Sequence, residues 1–301
     1  MKTVNKEFQN WLKTLGYADS SVKSLPNYTS EMVNWLKENN ITAVNQIQAE
    51  SINNFFFYWK NRKNKRRTGA LSHGHISKGI TAIHLFIRFL NESKNNPVQI
   101  QLERDKAPLK LPSVLTIKEI EQLYEATYNS TKRGNTQSYG QRDRAMLAIY
   151  YACGLRKNEG VNLKVSDILI DKKLVLVRKG KGNKERFVPI TDKSLQDIEE
   201  YLNFGRKWFL LPRQKQNQEP KTDAFFINID GNQMLDFTQR IQLLKEETTI
   251  QKRLSLHTFR HSIATHLLKQ GMDIEQIKKF LGHSTLESTQ LYTHILNEYE
   301  L

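Results

Sequence analysis

The stretch LHTFRHSIATHLL, residues 256–268, carries the strongest structural signal in the chain. At about 100° per residue, Phe259, Ile263 and Leu267 fall within about 80° of one another around a helix. Such an apolar sector predicts a helix that packs this face into a core. Arg260 falls on the flank of the same sector, so the pattern also predicts a guanidinium that points towards the core.

Arg260 needs a partner, because burying an unpaired charge is costly. A structural salt bridge to an internal carboxylate is one explanation. The other is an anion pocket shared with His257, which the i, i+3 spacing places on the same side of the helix. The residue pattern by itself leaves both explanations open.

Histidine is also a common metal ligand, and His257, His261 and His266 share this predicted helix. No Glu follows the first histidine as the zinc-protease pattern requires, and Cys153 is the only cysteine. We therefore expect neither a metal nor a cofactor. A single cysteine also excludes an intrachain disulfide and fits a reducing, intracellular compartment.

The chain is strongly basic. Its 301 residues include 46 Lys and Arg against 31 Asp and Glu, a formal charge of +15, which favours a polyanionic partner such as nucleic acid. Residues 60–67 contain six cations, and we expect them to contact DNA phosphates, although a solvated loop is the alternative. These candidate contacts are Lys60, Arg62, Lys63, Lys65, Arg66 and Arg67.

The apolar pattern of the first hundred residues predicts a small helical bundle. Apolar residues recur at helical spacing around residues 8–15, 28–36, 47–59 and 76–90, which predicts four short amphipathic helices. Residues 91–112 contain three prolines and little periodicity, as is typical of a linker. Thr116 and Glu119 then match a capping box that opens a new helix. No apolar run approaches the ~20 residues of a membrane span, and the start of the chain lacks a signal-peptide core.

The sequence after the linker predicts a mainly α domain with a small antiparallel β-sheet. Three candidate strands lie at residues 166–170, 174–178 and 186–190, and Gly180 and Gly182 supply a turn between the last two. The candidate helices around this sheet are residues 145–152, 195–209, 237–245, 256–270 and 274–280.

Four further features are ordinary when each is taken alone. Arg156 follows a turn at Gly154, with Glu159 near enough to orient it. The predicted hairpin tip carries Lys179, Lys181 and Lys184, which is consistent with a solvated basic turn or with a phosphate contact. His283 follows Gly282, and Tyr292 comes nine residues after His283.

Together these segments resemble the tyrosine recombinases, the phage-integrase and Xer-type family of site-specific recombinases. The family's five motifs occur here in the family's order: Gly-Leu-Arg-x-x-Glu at 154–159, the lysine hairpin at 180–186, His-x-x-Arg at 257–260, Leu-Gly-His at 281–283, and the nucleophile at Tyr292. The resemblance is strong over residues 113–296. The N-terminal bundle is similar, by pattern only, to the family's core-binding (SAM-like) domain.

The resemblance implies a domain plan and a reaction. It implies a helical core-binding, DNA-binding domain over residues 1–103, a linker over 104–112 and a catalytic domain over 113–301. The implied reaction cuts and rejoins DNA through a covalent 3′-phosphotyrosyl intermediate and a Holliday junction.

The resemblance also implies a role for each site residue. Tyr292 would be the nucleophile, and Arg156 and Arg260 would hold the phosphate. Lys181 would protonate the leaving group, although Lys179 and Lys184 are close enough to compete for that role. His257 would take the tyrosine proton, or act as an acid in the reverse step, and His283 would hydrogen-bond the phosphate.

The implied partners are double-stranded DNA with an inverted-repeat site and further copies of this chain, as a dimer per site and a tetramer in the synapse. The implied location is cytoplasmic and nucleoid-associated, of bacterial type. Only nine residues follow Tyr292, so we expect protomer exchange through the tail to be weaker than in relatives with a longer C-terminal helix.

Two alternatives remain at this point. A type IB topoisomerase shares the chemistry but relaxes DNA without strand exchange. A catalytically silent DNA-binding regulator could use the same scaffold, although all the candidate catalytic residues are present.

Overall fold

A computed structural model describes residues 3–64, 68–94, 97–104, 111–129, 136–178, 185–214, 222–283, 285–286 and 288–293. The chain divides into two compact units, Met1–Leu109 and Lys110–Leu301. Helices dominate both, and one three-stranded antiparallel sheet lies in the second, so the predicted fold class is confirmed. Within the described ranges, no helix is long and apolar enough to cross a membrane. The linker predicted over residues 104–112 stays a prediction, because most of it lies outside these ranges.

The first unit contains the four predicted helices. They are α1 Val4–Thr14, α2 Asp19–Glu38, α3 Ala49–Asn61 and α4 His73–Ser93. Gly16 and Asn40 follow the first two with φ of +73° and +65°, a left-handed conformation that ends a helix. The helices bury one shared core, in which the Trp59 indole lies close to the rings of Tyr28, Phe55 and His75.

The second unit adds eight helices within the described residues. They are α5 Ile117–Asn129, α6 Thr136–Leu147, α7 Lys157–Val161, α8 Asp192–Glu200, α9 Arg206–Gln214, α10 Thr238–Glu246, α11 Leu256–Lys269 and α12 Ile274–Leu281. A π-helical turn over Ala148–Ala152 extends α6, and another over Tyr201–Gly205 joins α8 to α9. The predicted capping box is confirmed, since the Thr116 backbone N–H donates to Glu119 at 2.7 Å and the Glu119 N–H donates to the Thr116 hydroxyl at 3.2 Å.

Helix α6 begins nine residues before the predicted start of its apolar run at Ala145. The added turns contain buried charges, which the apolar pattern did not identify as helical. Asp143 accepts hydrogen bonds from Arg240, and Arg144 donates to Glu200 at 2.8 Å. Arg142 donates to a backbone carbonyl at 2.9 Å. Long-range partners therefore let a polar sequence lie in the core.

The sheet has the order β1-β2-β3, with β1 Ile168–Leu169, β2 Leu174–Val177 and β3 Arg186–Pro189. The first strand is shorter than predicted, because Val165–Asp167 forms a 3-10 turn instead. Val175 pairs with Val188, and Val177 pairs with Arg186. Strand β3 therefore starts at Arg186, whose side chain belongs to the site described below. The predicted turn at Gly180 and Gly182 lies outside the described residues.

The contact between α4 and Trp59 generates a test of the first unit. A Cβ added at Gly79 would overlap the buried indole, at 2.8 Å from both Cζ2 and Cζ3. Overpacking costs about 1–3 kcal/mol, which exceeds the gain of about 1 kcal/mol from replacing a helical glycine by alanine. We expect Gly79→Ala to lower the free energy of unfolding by up to about 2 kcal/mol in urea titrations followed by tryptophan fluorescence.

Gly74→Ala is the matched control, since it lies on the same helix with no atom within 4 Å of an added Cβ. It should leave the stability unchanged or raise it by up to about 1 kcal/mol. Equal effects of the two substitutions would contradict the packing argument.

Candidate active site

Helix α11 contains the LHTFRHSIATHLL stretch, residues 256–268. Ser255 caps its start by accepting a hydrogen bond from the Thr258 backbone N–H at 3.2 Å. Phe259 and Arg260 are buried as predicted, whereas Ile263 and Leu267 are only half-buried. The buried surface extends further around the helix because Ser262 and His266 bind the backbone of Leu115, both at 2.8 Å.

Arg260 is only 3% exposed. It donates from Nη1 to the Gly154 carbonyl at 2.5 Å and from Nη2 to the Leu281 carbonyl at 2.7 Å. It forms no ion pair with a carboxylate among the described residues. The structural salt bridge that was one explanation for a buried Arg260 is therefore not found there. Burial, with a contribution from the nearby Arg156 charge, lowers the pKa of Arg260 to about 10. Arg260 therefore remains a cation whose charge is incompletely balanced.

Arg156 lies at the N-cap of α7 and is fixed at two points. Its Nη1 donates to Glu159 at 2.8 Å, which confirms the predicted orienting contact. Its Nη2 donates to the Gly282 carbonyl at 2.7 Å. Arg156 and Arg260 therefore bind the carbonyls of two successive residues, 281 and 282, and their guanidinium groups converge on one turn.

Arg186 is a member of this cluster to which the sequence analysis gave no role, although it lies within the quoted hairpin motif. It donates to both carboxylate oxygens of Glu159, at 3.0 and 2.9 Å, and from Nε to the Phe280 carbonyl at 3.2 Å. Gly282 adopts a φ of +66°, and a Cβ there would lie 2.9 Å from the Arg186 Cζ. Three arginines thus bind consecutive carbonyls at the C-terminal end of α12, the negative end of its dipole.

Glu159 is the carboxylate that balances this cluster. Burial would raise its pKa, but hydrogen bonds and charge from Arg186, together with hydrogen bonds from Arg156, outweigh burial and hold the pKa at about 2. The carboxylate is therefore ionised at neutral pH. One negative charge faces three positive ones, so the cluster retains an excess of positive charge.

Tyr292 lies beside the arginines on a helical segment, residues 288–293, and is 1% exposed. Its hydroxyl is 3.2 Å from Nδ1 of His261. Its ring stacks on His283, with centroids 6.2 Å apart and planes 16° apart. Burial raises the pKa of Tyr292, and the charges of Arg260 and Arg156 oppose that effect.

The imidazoles around Tyr292 are neutral at pH 7. Burial, followed by the charges of Arg260 and Arg156, lowers the pKa of His283 to about 3, and its Nδ1 lies 2.9 Å from the Thr289 hydroxyl. Partial desolvation and the charge of Arg260 also lower the pKa of His257, whose side chain is more exposed to solvent. A neutral imidazole can accept a proton, so the site holds potential bases next to a buried phenol.

The structure brings together five of the six predicted catalytic residues, namely Arg156, His257, Arg260, His283 and Tyr292. Lys181, with Lys179 and Lys184, lies outside the described residues. The sequence offers His261 only as a candidate metal ligand, and its position one turn after His257 is the one available signal of another role. In the described part of the chain, no group of three His, Cys, Asp or Glu is arranged to hold a metal ion.

The predicted phosphate contacts of the first unit are only partly described, since Lys65, Arg66 and Arg67 lie outside the described residues. Arg62 Nε lies 2.7 Å from Glu31, and its side chain is only 12% exposed. Lys63 forms an isolated antiparallel bridge with Ala70. Arg62 therefore already has an internal partner, and its role in binding, like those of Lys60 and Lys63, stays a prediction.

Comparison with known proteins gives matches along most of the chain. The sequence model of the phage integrase family matches residues 113–298. The chain is 31% identical over 285 residues to tyrosine recombinase XerD of Oceanobacillus iheyensis, covering 93% of this chain and 89% of the relative. It is 34% identical over 233 residues to tyrosine recombinase XerC of Bacillus subtilis, covering 76% and 72%. Among solved structures, the XerH site-specific recombinase bound to palindromic difH substrate, a post-cleavage complex, has a similar fold, with a TM-score of 0.68, 19% identity, and coverage of 92% and 77%.

The charge balance at Glu159 generates a prediction about pH. A carboxyl whose pKa falls from 4.5 to about 2 on folding contributes stability that is complete above pH 4.5 and is lost as the pH falls towards 2. We expect Glu159→Gln to lower the free energy of unfolding at pH 7 by about 3–5 kcal/mol, because it leaves buried guanidinium groups without their counter-charge. Its stability should also decline less steeply than that of the wild type between pH 4.5 and 2, in urea titrations at each pH.

Glu119→Gln serves as the control, since Glu119 pairs with Lys252 at 2.7 Å in a more exposed position. A more exposed pair contributes about 0–1 kcal/mol. Glu159→Gln with no larger effect than Glu119→Gln would contradict the assigned charge balance.

Proposed function

The chain belongs to the phage integrase family and is a site-specific tyrosine recombinase, an enzyme that cuts and rejoins DNA; we propose that it does so through Tyr292, with Arg156 and Arg260 holding the reacting phosphate. The family resemblance read from the sequence motifs is thereby confirmed. The single observation that carries the residue assignment is the convergence of both guanidiniums on the 281–282 turn beside the Tyr292 ring.

In the proposed reaction the Tyr292 hydroxyl oxygen attacks a DNA phosphorus, and the bond from phosphorus to the 5′-oxygen breaks. The products are a 3′-phosphotyrosyl link and a free 5′-hydroxyl. The covalent link conserves the energy of the phosphodiester bond, so the reverse attack by a partner strand needs no external energy source. Two rounds of this exchange pass through a Holliday junction.

Arg156 and Arg260 stabilise the charge that develops on the non-bridging oxygens. Guanidinium groups fit such oxygens in a bidentate manner, and these two are already fixed by Glu159 and by backbone carbonyls. Donors that are held in place before the reaction need little reorganisation during it, which is the main source of electrostatic catalysis. The excess positive charge of the cluster supports an anionic ligand here.

The remaining roles follow the family pattern. Lys181, or its neighbour Lys179 or Lys184, protonates the leaving 5′-oxygen. His257 takes part in proton transfer, and His283 hydrogen-bonds the phosphate. The His283 ring already stacks on Tyr292, which supports a role in placing the nucleophile.

We propose double-stranded DNA with an inverted-repeat site as the substrate, bound by a dimer of this chain at each site and a tetramer in the synapse. The formal charge of +15 supports a DNA partner. A structure of similar fold is a complex of a recombinase with its palindromic substrate, which supports a symmetric site. We also propose that the enzyme acts in the cytoplasm of a bacterial cell, at the nucleoid, where such a substrate is found.

The nucleophile is tested by covalent trapping. The site is first selected from a random-sequence duplex pool by binding to the protein, and a nick near the cleaved bond then prevents religation. We expect wild-type protein to form a covalent protein–DNA adduct on denaturing gels. Tyr292→Phe should form none, because it lacks the attacking oxygen, whereas Tyr128→Phe, at an exposed tyrosine, should form as much as wild type. An adduct that persists in Tyr292→Phe would contradict the assignment.

The same reagents separate the alternatives. Recombinant products from paired sites are expected for a recombinase. Relaxation of supercoiled plasmid without recombinant products would favour a type IB topoisomerase. Absence of any adduct on the selected site would favour a silent regulator.

Two groups of cations are proposed to bind DNA, one that contacts backbone phosphates away from the cleaved bond and one that holds the reacting phosphate. Substitutions in the two groups should have different effects. Lys63→Gln should reduce the slope of log affinity against log salt by about 0.9, the effect of one phosphate contact. It should leave the cleavage rate unchanged at saturating protein. Arg260→Lys keeps the charge but loses the paired donors, so it should retain affinity and slow cleavage about 10²–10³-fold. Fluorescence anisotropy at several salt concentrations and single-turnover cleavage measure these effects, and a slowed saturated rate in Lys63→Gln would contradict the division.

A further inference from the structure

His261 is the imidazole in hydrogen-bond contact with the hydroxyl of Tyr292. The distance of 3.2 Å from Nδ1 to the hydroxyl oxygen lies within the range for a hydrogen bond to a candidate base. The family pattern gives proton transfer to His257, yet His257 and His261 are separated by one helical turn, with ring centroids 6.5 Å apart. The sequence motif therefore names His257, whereas the geometry places His261 against the Tyr292 hydroxyl.

We propose that His261 is a catalytic residue of this enzyme, and that its Nδ1 accepts the Tyr292 proton as the hydroxyl oxygen attacks the phosphorus. The inference rests on the proposed function, because it needs Tyr292 to be the nucleophile. One proton moves from the Tyr292 oxygen to Nδ1 while the oxygen–phosphorus bond forms. The bond from phosphorus to the 5′-oxygen breaks, and the leaving oxygen takes a proton from the general acid. The proton on His261 returns to Tyr292 in the reverse step.

The surroundings of His261 suit an acceptor. Burial, then the charges of His257 and Arg260, lower its pKa to about 4, so the ring is neutral and Nδ1 can accept a proton when Nε2 carries the hydrogen. A phosphate held by Arg260 and Arg156 would bring negative charge and offset the repulsion from those cations. The basicity of His261 therefore rises when substrate is bound, which is when a base is needed.

His266 supplies a comparison on the same helix. Its Nε2 lies 2.8 Å from the Leu115 carbonyl oxygen and its Nδ1 lies 2.9 Å from the Tyr151 hydroxyl. It is therefore a structural histidine joined to a tyrosine that the reaction does not use. The pair of contacts shows that a His–Tyr hydrogen bond alone does not define a base, so the experiment must report on proton transfer itself.

The test uses single-turnover cleavage of the selected duplex with sulfur in place of the bridging 5′-oxygen, between pH 7 and pH 9.5. A thiolate leaves without a proton, so the rate reports on the nucleophile and not on the general acid. Loss of a base costs about 10²–10⁴-fold. We expect His261→Leu to be at least 100-fold slower than wild type at pH 7. Without a base, ionisation of Tyr292 depends on hydroxide, so the cleavage rate of the variant should rise about tenfold for each pH unit. The wild-type rate should stay nearly constant, so the ratio of the two rates should fall by the same factor.

His261→Asn provides the second variant and protects the test against a folding defect. An asparagine Oδ1 can occupy the Nδ1 position and accept the hydrogen bond, but it cannot take the proton. We expect His261→Asn to fold as well as wild type in thermal unfolding and to show the same pH-dependent deficit as the leucine variant. Rates within threefold of wild type in His261→Asn would overturn the inference, since they would leave His261 only a positioning role.

Three controls complete the design. His266→Asn should reduce stability without a pH-dependent rate deficit. A pH-dependent deficit in His257→Asn that is absent from the His261 variants would overturn the inference and assign the proton to His257. The wild type and Tyr292→Phe are run in parallel. If the wild-type protein forms no covalent adduct, the proposed function is wrong. If the wild type forms the adduct and the His261 variants cleave at the wild-type rate, only this inference is wrong.

Discussion

Three arginines bind the C-terminal carbonyls of one short helix, and the geometry of the catalytic unit depends on that arrangement. Arg186, Arg260 and Arg156 donate to the carbonyls of residues 280, 281 and 282 in turn. Side by side in a largely buried site, these guanidinium groups would repel one another strongly. The helix dipole and the Glu159 carboxylate offset that repulsion only in part, so the site is held together with positive charge left over.

That residual charge acts on the neighbouring groups together with burial. Burial is the largest cause of the lowered pKa values of His257, His261 and His283, and the charge of Arg260 lowers all three further. The charges of Arg260 and Arg156 also oppose the effect of burial on the pKa of Tyr292. A phosphate bound at Arg260 would change the pKa values of all four groups together, because the charge of Arg260 contributes to each. Under the proposed residue assignment, substrate binding and proton transfer are therefore coupled through the Arg260 guanidinium.

Local signals in the sequence predicted much of this architecture. The four helices of the first unit, the capping box at Thr116 and the start of α11 follow from apolar spacing and capping chemistry. The predicted ends agree within a few residues, except that α2 begins at Asp19, nine residues before its predicted apolar run. The early start of α6 could not be predicted, because its buried charges have partners far along the chain, such as Arg240 for Asp143. The shortened first strand reflects a 3-10 turn that β-strand propensity does not reveal.

The site shows the same division between local and long-range information. The motifs identified which residue types matter, yet the partners of Arg260 are carbonyls 106 and 21 residues away. Carbonyls exist at every position, so no residue type marks them. Likewise, the contact between His261 and Tyr292 spans 31 residues, and only the packing of residues 288–293 against α11 decides which histidine meets the hydroxyl. A motif therefore identifies the residue types of the site, and the fold decides which of two histidines on one helix lies against the tyrosine hydroxyl.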